Sequence, residues 1–315
     1  MKKKLFFIIL WALHSIMVNI SATEYLLPST TTHLIGENIN YTIPSDGRTL
    51  EAIATEFHIG MLAMLEANPG TDPYLPKAGN TLIIPSQMLL PATKHDGIVI
   101  NLPELRLYYF PKNINKVIVY PIGIGQLGAD TPTMLTTVNQ LIKNPTWTPT
   151  SDIRKRYAMD GVILPDVLPP GVDNPMGLYA LRLSYDKGQY LIHGTNANFG
   201  IGLRVSSGCI RLRSEDIKTL FHSIPLGTRV QVIDEPIKYH KESDGSYYIE
   251  VHQPLSKTEY DDPQTMPLVY SDEFKFFLEQ EDIDKKLVDE VVARRSGMPV
   301  KVNKINCNDI NTFLK

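Results

Sequence analysis

Two cysteines in 315 residues are too few for a disulfide scaffold, and a chain of this length needs none to hold a core. An excess of positive charge is also missing. With 31 Lys and Arg against 34 Asp and Glu, the net charge is −3, which leaves no basic footprint for a nucleic acid. There is no internal repeat, and no CxxC or HxxxH pair to supply the usual zinc-ligand spacing, so neither a metal nor another cofactor is expected. Past the N-terminus, no segment is apolar enough to span a bilayer.

What is present begins with an export signal. Lys2, Lys3 and Lys4 precede an apolar run from Leu5 to Ile20, and Ser21 and Ala22 offer small residues for cleavage. The run is shorter than the roughly 20 residues that span a membrane. Residues 1–22 therefore read as a cleaved signal peptide, and the mature chain is expected in the periplasm. A free thiol is exposed to oxidation in such a compartment, so Cys209 and Cys307 each need a reason to be there. A disulfide between them would silence either one as a nucleophile.

Residues 40–86 read as strand, helix, helix, strand. Tyr41–Pro44 and Leu82–Pro85 carry the strand pattern, and Leu50, Ile53, Ala54 and Phe57 fall on one helical face. Met61 to Leu65 start a second helix that Asn68-Pro69-Gly70 stops. The segment resembles a LysM module, a family that binds the glycan of peptidoglycan. The matching positions are mostly core and turn residues, so the likeness speaks first to fold.

Pro85 to Asp96 read as a linker. Alternating β-branched and aromatic residues then predict strands at 98–101, 105–110, 116–121, 179–183, 190–193 and 228–233. Between them, residues 124–177 are rich in Pro, Thr and Asn and read as a long loop, a lid or substrate-binding insertion. Ser214 is placed to cap a helix whose apolar face is Ile217, Leu220, Phe221 and Ile224. After Pro236, Asp244-Gly245 signals a hairpin, and two helical stretches follow at about 272–280 and 282–295.

The chemistry lies between His193 and Arg211. His193-Gly194-Thr195 ends a predicted strand, and Ser206-Ser207-Gly208-Cys209-Ile210-Arg211 follows. A thiolate is a strong nucleophile, and a neighbouring imidazole can generate it and pair with it. Gly194 and Gly208 leave backbone unshielded beside both groups, and the Gly208 N–H is placed to face a developing oxyanion. The planar guanidinium of Arg211 suits a substrate carboxylate. Singly, a cysteine, a histidine or an arginine is more often structural. Their meeting in one glycine-flanked segment of an exported chain points to catalysis.

This signature resembles that of the YkuD-type L,D-transpeptidases. Pro121–Gly125, Thr146–Thr150, Asn174–Gly177, Asn196–Gly202 and Arg294–Val300 extend the likeness over most of the chain. Together they resemble the Gram-negative branch that attaches the major outer-membrane (Braun) lipoprotein to peptidoglycan. The resemblance implies a mainly β fold: a YkuD-like β-sandwich catalytic domain at 96–234, after the LysM-like βααβ module and before a mixed α/β subdomain at 236–315. It implies a cysteine acyl transferase with Cys209 as nucleophile and His193 as base and acid. The Gly194 carbonyl orients His193, and Arg211, Ser206 and Ser207 border the substrate. The wider family often carries His at the position of Ser207, so no second imidazole acts here. The implied partners are tetrapeptide stems of peptidoglycan and the C-terminal Lys of the lipoprotein. A periplasmic thiol reductant is a candidate partner for the cysteines, because Cys307 has no place in the family mechanism.

Overall fold

The computed structural model describes residues 22–27 and 32–304. Of the expected signal peptide only Ala22 falls within them, and Cys307 falls outside. Among the described residues no helix is long and apolar enough to cross a membrane.

In chain order, β1 (Thr23–Leu26) and β2 (Leu34–Ile35) precede the small module, built from β3 (Ile39–Thr42), α1 (Leu50–Glu56), α2 (Met61–Ala67) and β4 (Thr81–Ile84). Here β3 pairs antiparallel with β4. The two helices lie over the pair and bury Leu50, Ile53 and Met64 with Leu82 and Ile84. Thr49 caps α1 by accepting from the Ala52 N–H. Next, β5 (Met88–Leu89) pairs with β2. Met88, Leu89 and Leu90 are buried, so the expected linker is part of the packed body.

The central domain contains β6 (Gly97–Asn101), β7 (Arg106–Phe110), β8 (Lys116–Pro121), β9 (Ile124–Gly125), β10 (Met134–Lys143), α3 (Ser151–Met159), β11 (Tyr179–Leu183), β12 (Leu191–His193), β13 (Arg204–Ser206), β14 (Ile210–Arg211), α4 (Ser214–Ser223) and β15 (Arg229–Ile233). One nine-stranded sheet runs β1-β8-β7-β6-β15-β10-β11-β12-β14, and β9 pairs with β13 beside it. The strands β6 and β7 are buried along their whole length. Ile98, Ile100, Leu107 and Tyr120 feed one core, while Val99, Tyr108 and Val119 feed a second on the other face. The sheet curls until its ends approach. Gly123, just past β8, and Arg211 of the far-edge strand β14 exchange two backbone hydrogen bonds of 2.8 Å.

The expected loop over 124–177 is only partly a loop. It holds the ten-residue strand β10, in the sheet between β15 and β11, and the nine-residue helix α3. Only Met134 and Val138 of β10 are buried, so its Thr, Asn and Gln residues hide the strand pattern. Helix α3 buries nothing and therefore shows no apolar face to sequence. Ser214 is the first residue of α4 rather than its cap; its hydroxyl donates to the Thr195 carbonyl.

The last subdomain has β16 (Ile237–Lys241), β17 (Tyr247–Val251), α5 (Asp272–Leu278), α6 (Lys285–Arg294) and β18 (Val300–Lys301), with sheet order β16-β17-β18. A buried ionic cluster joins it to both other parts. Arg106 contacts Glu104 and Glu250, each at 3.0 Å. Lys238 contacts the same two carboxylates at 2.8 and 3.1 Å. His252 bridges Glu250 at 2.8 Å and Glu66 of α2 at 3.0 Å. Burial disfavours charge on His252, but Glu66 and Glu250 outweigh it and raise its pKa to about 9. Protonated, it balances the three carboxylates with Arg106 and Lys238. Gly297 closes the cluster, because a side chain there would strike the Glu66 carboxylate and the His252 ring.

Candidate active site

Strands β12 and β14 run parallel, with Ile192 opposite Ile210 and His193 opposite Arg211. Successive side chains alternate across a sheet, so this register sets His193 and Arg211 on one face. Cys209, two residues before Arg211 and just ahead of β14, falls on that same face by alternation, beside the Leu191 backbone. Three neighbours hold the His193 segment. The Gly194 N–H donates to the Tyr179 carbonyl at 3.1 Å, and the Leu212 N–H donates to the His193 carbonyl at 2.9 Å. Ile217 of α4 packs so near Gly194 that a Cβ would sit 3.0 Å from it.

His193 is buried, and its Nδ1 lies 2.6 Å from the Gly194 carbonyl oxygen. That bond makes Nδ1 the protonated nitrogen and leaves Nε2 as the basic one. Burial, reinforced by the positive charge of Arg211, lowers the imidazole pKa to about 4, although the Gly194 and Met176 carbonyls pull the other way. Cys209 is half-buried, and its Sγ lies 3.9 Å from the Gln189 carbonyl. Burial raises the thiol above its ordinary value, partly offset by the Leu191 backbone, Arg211 and Arg182. The resting pair is therefore a neutral thiol and a neutral imidazole, not the ion pair that the residue types alone suggest. Burial likewise lowers the Arg211 pKa, and its buried Nε has no hydrogen-bond partner among the described residues. A donor held dry in this way is prepared for an incoming carboxylate.

Ser206 shapes the turn before Cys209. Its hydroxyl donates to the Cys209 carbonyl and accepts from the Gly208 N–H at 3.2 Å. The Gly208 N–H, expected to face an oxyanion, is thus engaged in this state. Gly208 sits at φ +102°, with the Tyr190 ring 3.3 Å from where a Cβ would project; this backbone calls for glycine. Ser207 is exposed, and its hydroxyl accepts from Arg156 of α3 at 2.9 Å.

Three supporting residues escape sequence reasoning. Thr131 donates to the Gly208 carbonyl at 2.9 Å and accepts from the Gly125 N–H at 2.9 Å, with no local signal to mark it. Asn174 is fully buried. Its amide donates to the carbonyls of Pro145 at 2.9 Å and Pro169 at 3.1 Å, and its oxygen accepts from the Met176 N–H at 2.9 Å. It thereby ties both stems of the α3 insertion to the segment whose Met176 carbonyl faces His193. An Asn followed by Pro was the available sign. Arg156 links α3 to the cysteine loop and could be found only in three dimensions.

Among the described residues, the donor atoms of Glu104, Glu250 and His252 converge as metal ligands would. Lys238 and Arg106 already occupy that space, so the cluster does not fit a cation.

Residues 95–232 match the L,D-transpeptidase catalytic domain, 46–85 the LysM domain and 236–302 the L,D-transpeptidase C-terminal domain. The chain is 53% identical over 285 residues to the probable L,D-transpeptidase YcfS of Escherichia coli K12, covering 90% of this chain and 89% of that protein. It is 52% identical over 308 residues to the probable L,D-transpeptidase YbiS of the same organism, covering 96% and 99%. Among solved structures, the catalytic domain of an Enterococcus faecium L,D-transpeptidase aligns with 45% of this chain and 100% of its own, at 22% identity and a TM-score of 0.33.

Proposed function

Since the chain belongs to the L,D-transpeptidase family, we propose that it works in the periplasm on tetrapeptide stems of peptidoglycan, with Cys209 as nucleophile and His193 as base and acid. The observation that carries this reading is the β12–β14 register, which sets His193 opposite Arg211 on one face, with Cys209 entering β14 two residues earlier. In this mechanism the Cys209 thiol gives its proton to His193 Nε2 as Sγ attacks the carbonyl between the L-centre of meso-diaminopimelate and the terminal D-Ala. The imidazolium then protonates the departing D-Ala nitrogen, leaving a thioester on Cys209. An amine attacks the thioester and gives its proton to His193; the C–S bond breaks, the stem passes to the amine, and the departing Cys209 thiolate takes the proton back from His193. Arg211 binds a carboxylate of the stem. Ser206 holds the turn, and the Gly208 N–H reaches the oxyanion when Ser206 Oγ releases it.

The acceptor we favour is the C-terminal Lys of the major outer-membrane lipoprotein. The likeness of the whole chain to the lipoprotein-anchoring branch supports it. By this reading residues 1–22 are removed on export, 40–86 contact the glycan, 96–234 carry the chemistry, and 236–315 brace the sheet. The test is product mass after incubation with disaccharide-tetrapeptide and a peptide ending in that Lys. A stem joined to Lys supports anchoring. A stem dimer alone reassigns the enzyme to 3–3 cross-linking, and a free tripeptide alone makes it an L,D-carboxypeptidase.

A further inference from the structure

Helix α2 of the small module starts without a side-chain cap, because Gly60 occupies the N-cap. The first N–H groups of a helix need partners, and here the catalytic domain supplies them. The Met61 N–H donates to the Ile201 carbonyl at 3.3 Å, and the Leu62 N–H to the Gly202 carbonyl at 3.1 Å. The two backbones touch. A Cβ at Gly60 would lie 3.0 Å from the Gly202 Cα, and one at Gly202 would lie 2.1 Å from the Met61 nitrogen. From the other side, the Gly202 N–H donates to the Ile122 carbonyl at 2.9 Å. Arg213, two residues past Arg211, donates to the Ile59 carbonyl at 3.0 Å.

The clamped loop, residues 196–202, leaves directly from His193-Gly194-Thr195. Its first turn is closed by the Thr195 hydroxyl, which donates to the Ala197 carbonyl at 2.7 Å. Its tip carries Phe199, 71% exposed. Both ends of the chemistry therefore lean on the small module: the loop after His193 through Gly202, and the strand after Cys209 through Arg213.

We propose that the LysM-like module is a positioning element of the active site, with Gly60 and the α2 N-terminus holding the 196–202 loop in the geometry that acyl transfer requires. The inference rests on His193 and Cys209 as the reacting pair. It differs from a role in glycan binding alone, because it predicts a defect on soluble substrate that needs no glycan anchoring.

The test uses two variants of the full chain. Gly60 has φ −80° and ψ 152°, which alanine adopts freely, so Gly60→Ala adds only the crowding against Gly202. Met61→Pro puts proline at the first helical position, where it is tolerated, after a residue already extended as proline demands; it deletes the bond to Ile201. For each, kcat on soluble disaccharide-tetrapeptide is measured per active site, sites being counted by carbapenem acylation of the cysteine, alongside KM, Tm and pelleting with insoluble peptidoglycan. The expected result is a kcat per site lower by about tenfold, as small misplacements of reacting groups produce, with KM, Tm and pelleting nearly unchanged. An unchanged kcat per site in both variants overturns the proposal, whether or not Tm or the number of sites falls. If Gly60→Ala does not fold, Met61→Pro decides. A wild-type enzyme that never turns over would instead sink the assignment of the reaction itself.

Discussion

His193 Nδ1 and the carbonyl oxygen of its own neighbour, Gly194, lie 2.6 Å apart. A bond this local survives small movements of the sheet, and it fixes the tautomer without a carboxylate. Among the described residues, no carboxylate figures among the groups that shift His193. Together with burial and Arg211, this leaves the base with a pKa of about 4.

The pH dependence follows. At pH 7 His193 is neutral, and the Cys209 thiol, raised above its ordinary value, is protonated. The acid limb of kcat/KM should fall near pH 4 rather than near the ordinary histidine value of about 6.5. Thiolate absorbance at 240 nm should be missing at pH 7 and emerge only at alkaline pH. A thiolate signal at pH 7 would show a resting ion pair and contradict this account.

Replacing Asn174 should uncouple the α3 insertion from the site. Asn174→Ala leaves the Pro145 and Pro169 carbonyls and the Met176 N–H without their partner, at a cost of about 1–3 kcal/mol. We expect kcat/KM to fall at least tenfold while carbapenem still labels Cys209. Steady-state rates and intact mass check this, and unaltered kinetics would show that the stem tie is dispensable.

The ionic cluster should make the three parts unfold together. Lys238→Met leaves Glu104 and Glu250 short of one cation, and breaking a buried pair costs about 3–5 kcal/mol. Calorimetry of the wild type should show one transition, shifted down in the variant. The pH signs are opposite at the two ends. His252 has a raised folded pKa, so its contribution, on the order of 3 kcal/mol, is complete below about pH 6.5 and is lost as pH rises through about 9. Glu250 is held at about 2, because its neighbouring cations outweigh its burial; its contribution is complete above the ordinary glutamate range and is lost as pH falls towards 2. Separate transitions for the three parts would refute the coupling.

The parts of the molecule legible in sequence are those where one residue type has one use. Cys209, His193 and Arg211 could be singled out because a nucleophile, a base and a guanidinium gathered among glycines have little other use. The βααβ module was legible because Leu50, Ile53 and Ala54 keep strict helical spacing. By contrast, β10 reads as loop because its half-buried Thr136 and exposed Thr137, Asn139 and Gln140 break the apolar pattern, and α3 has no face to read. The linker failed for another reason: Met88 and Leu89 are buried by partners distant in sequence. The neutral resting state of the Cys209–His193 pair was also hidden, since it comes from burial and not from residue identity.

The central claim is that Cys209 carries the stem as a thioester formed with the help of His193. Intact-mass spectrometry of the wild type, Cys209→Ala and His193→Ala, each mixed with disaccharide-tetrapeptide, tests it most directly. The account predicts that the wild type gains the mass of the stem without its D-Ala, that Cys209→Ala gains nothing, and that His193→Ala gains the same mass far more slowly. An adduct that persists in Cys209→Ala, or one that forms at an unchanged rate in His193→Ala, would contradict it.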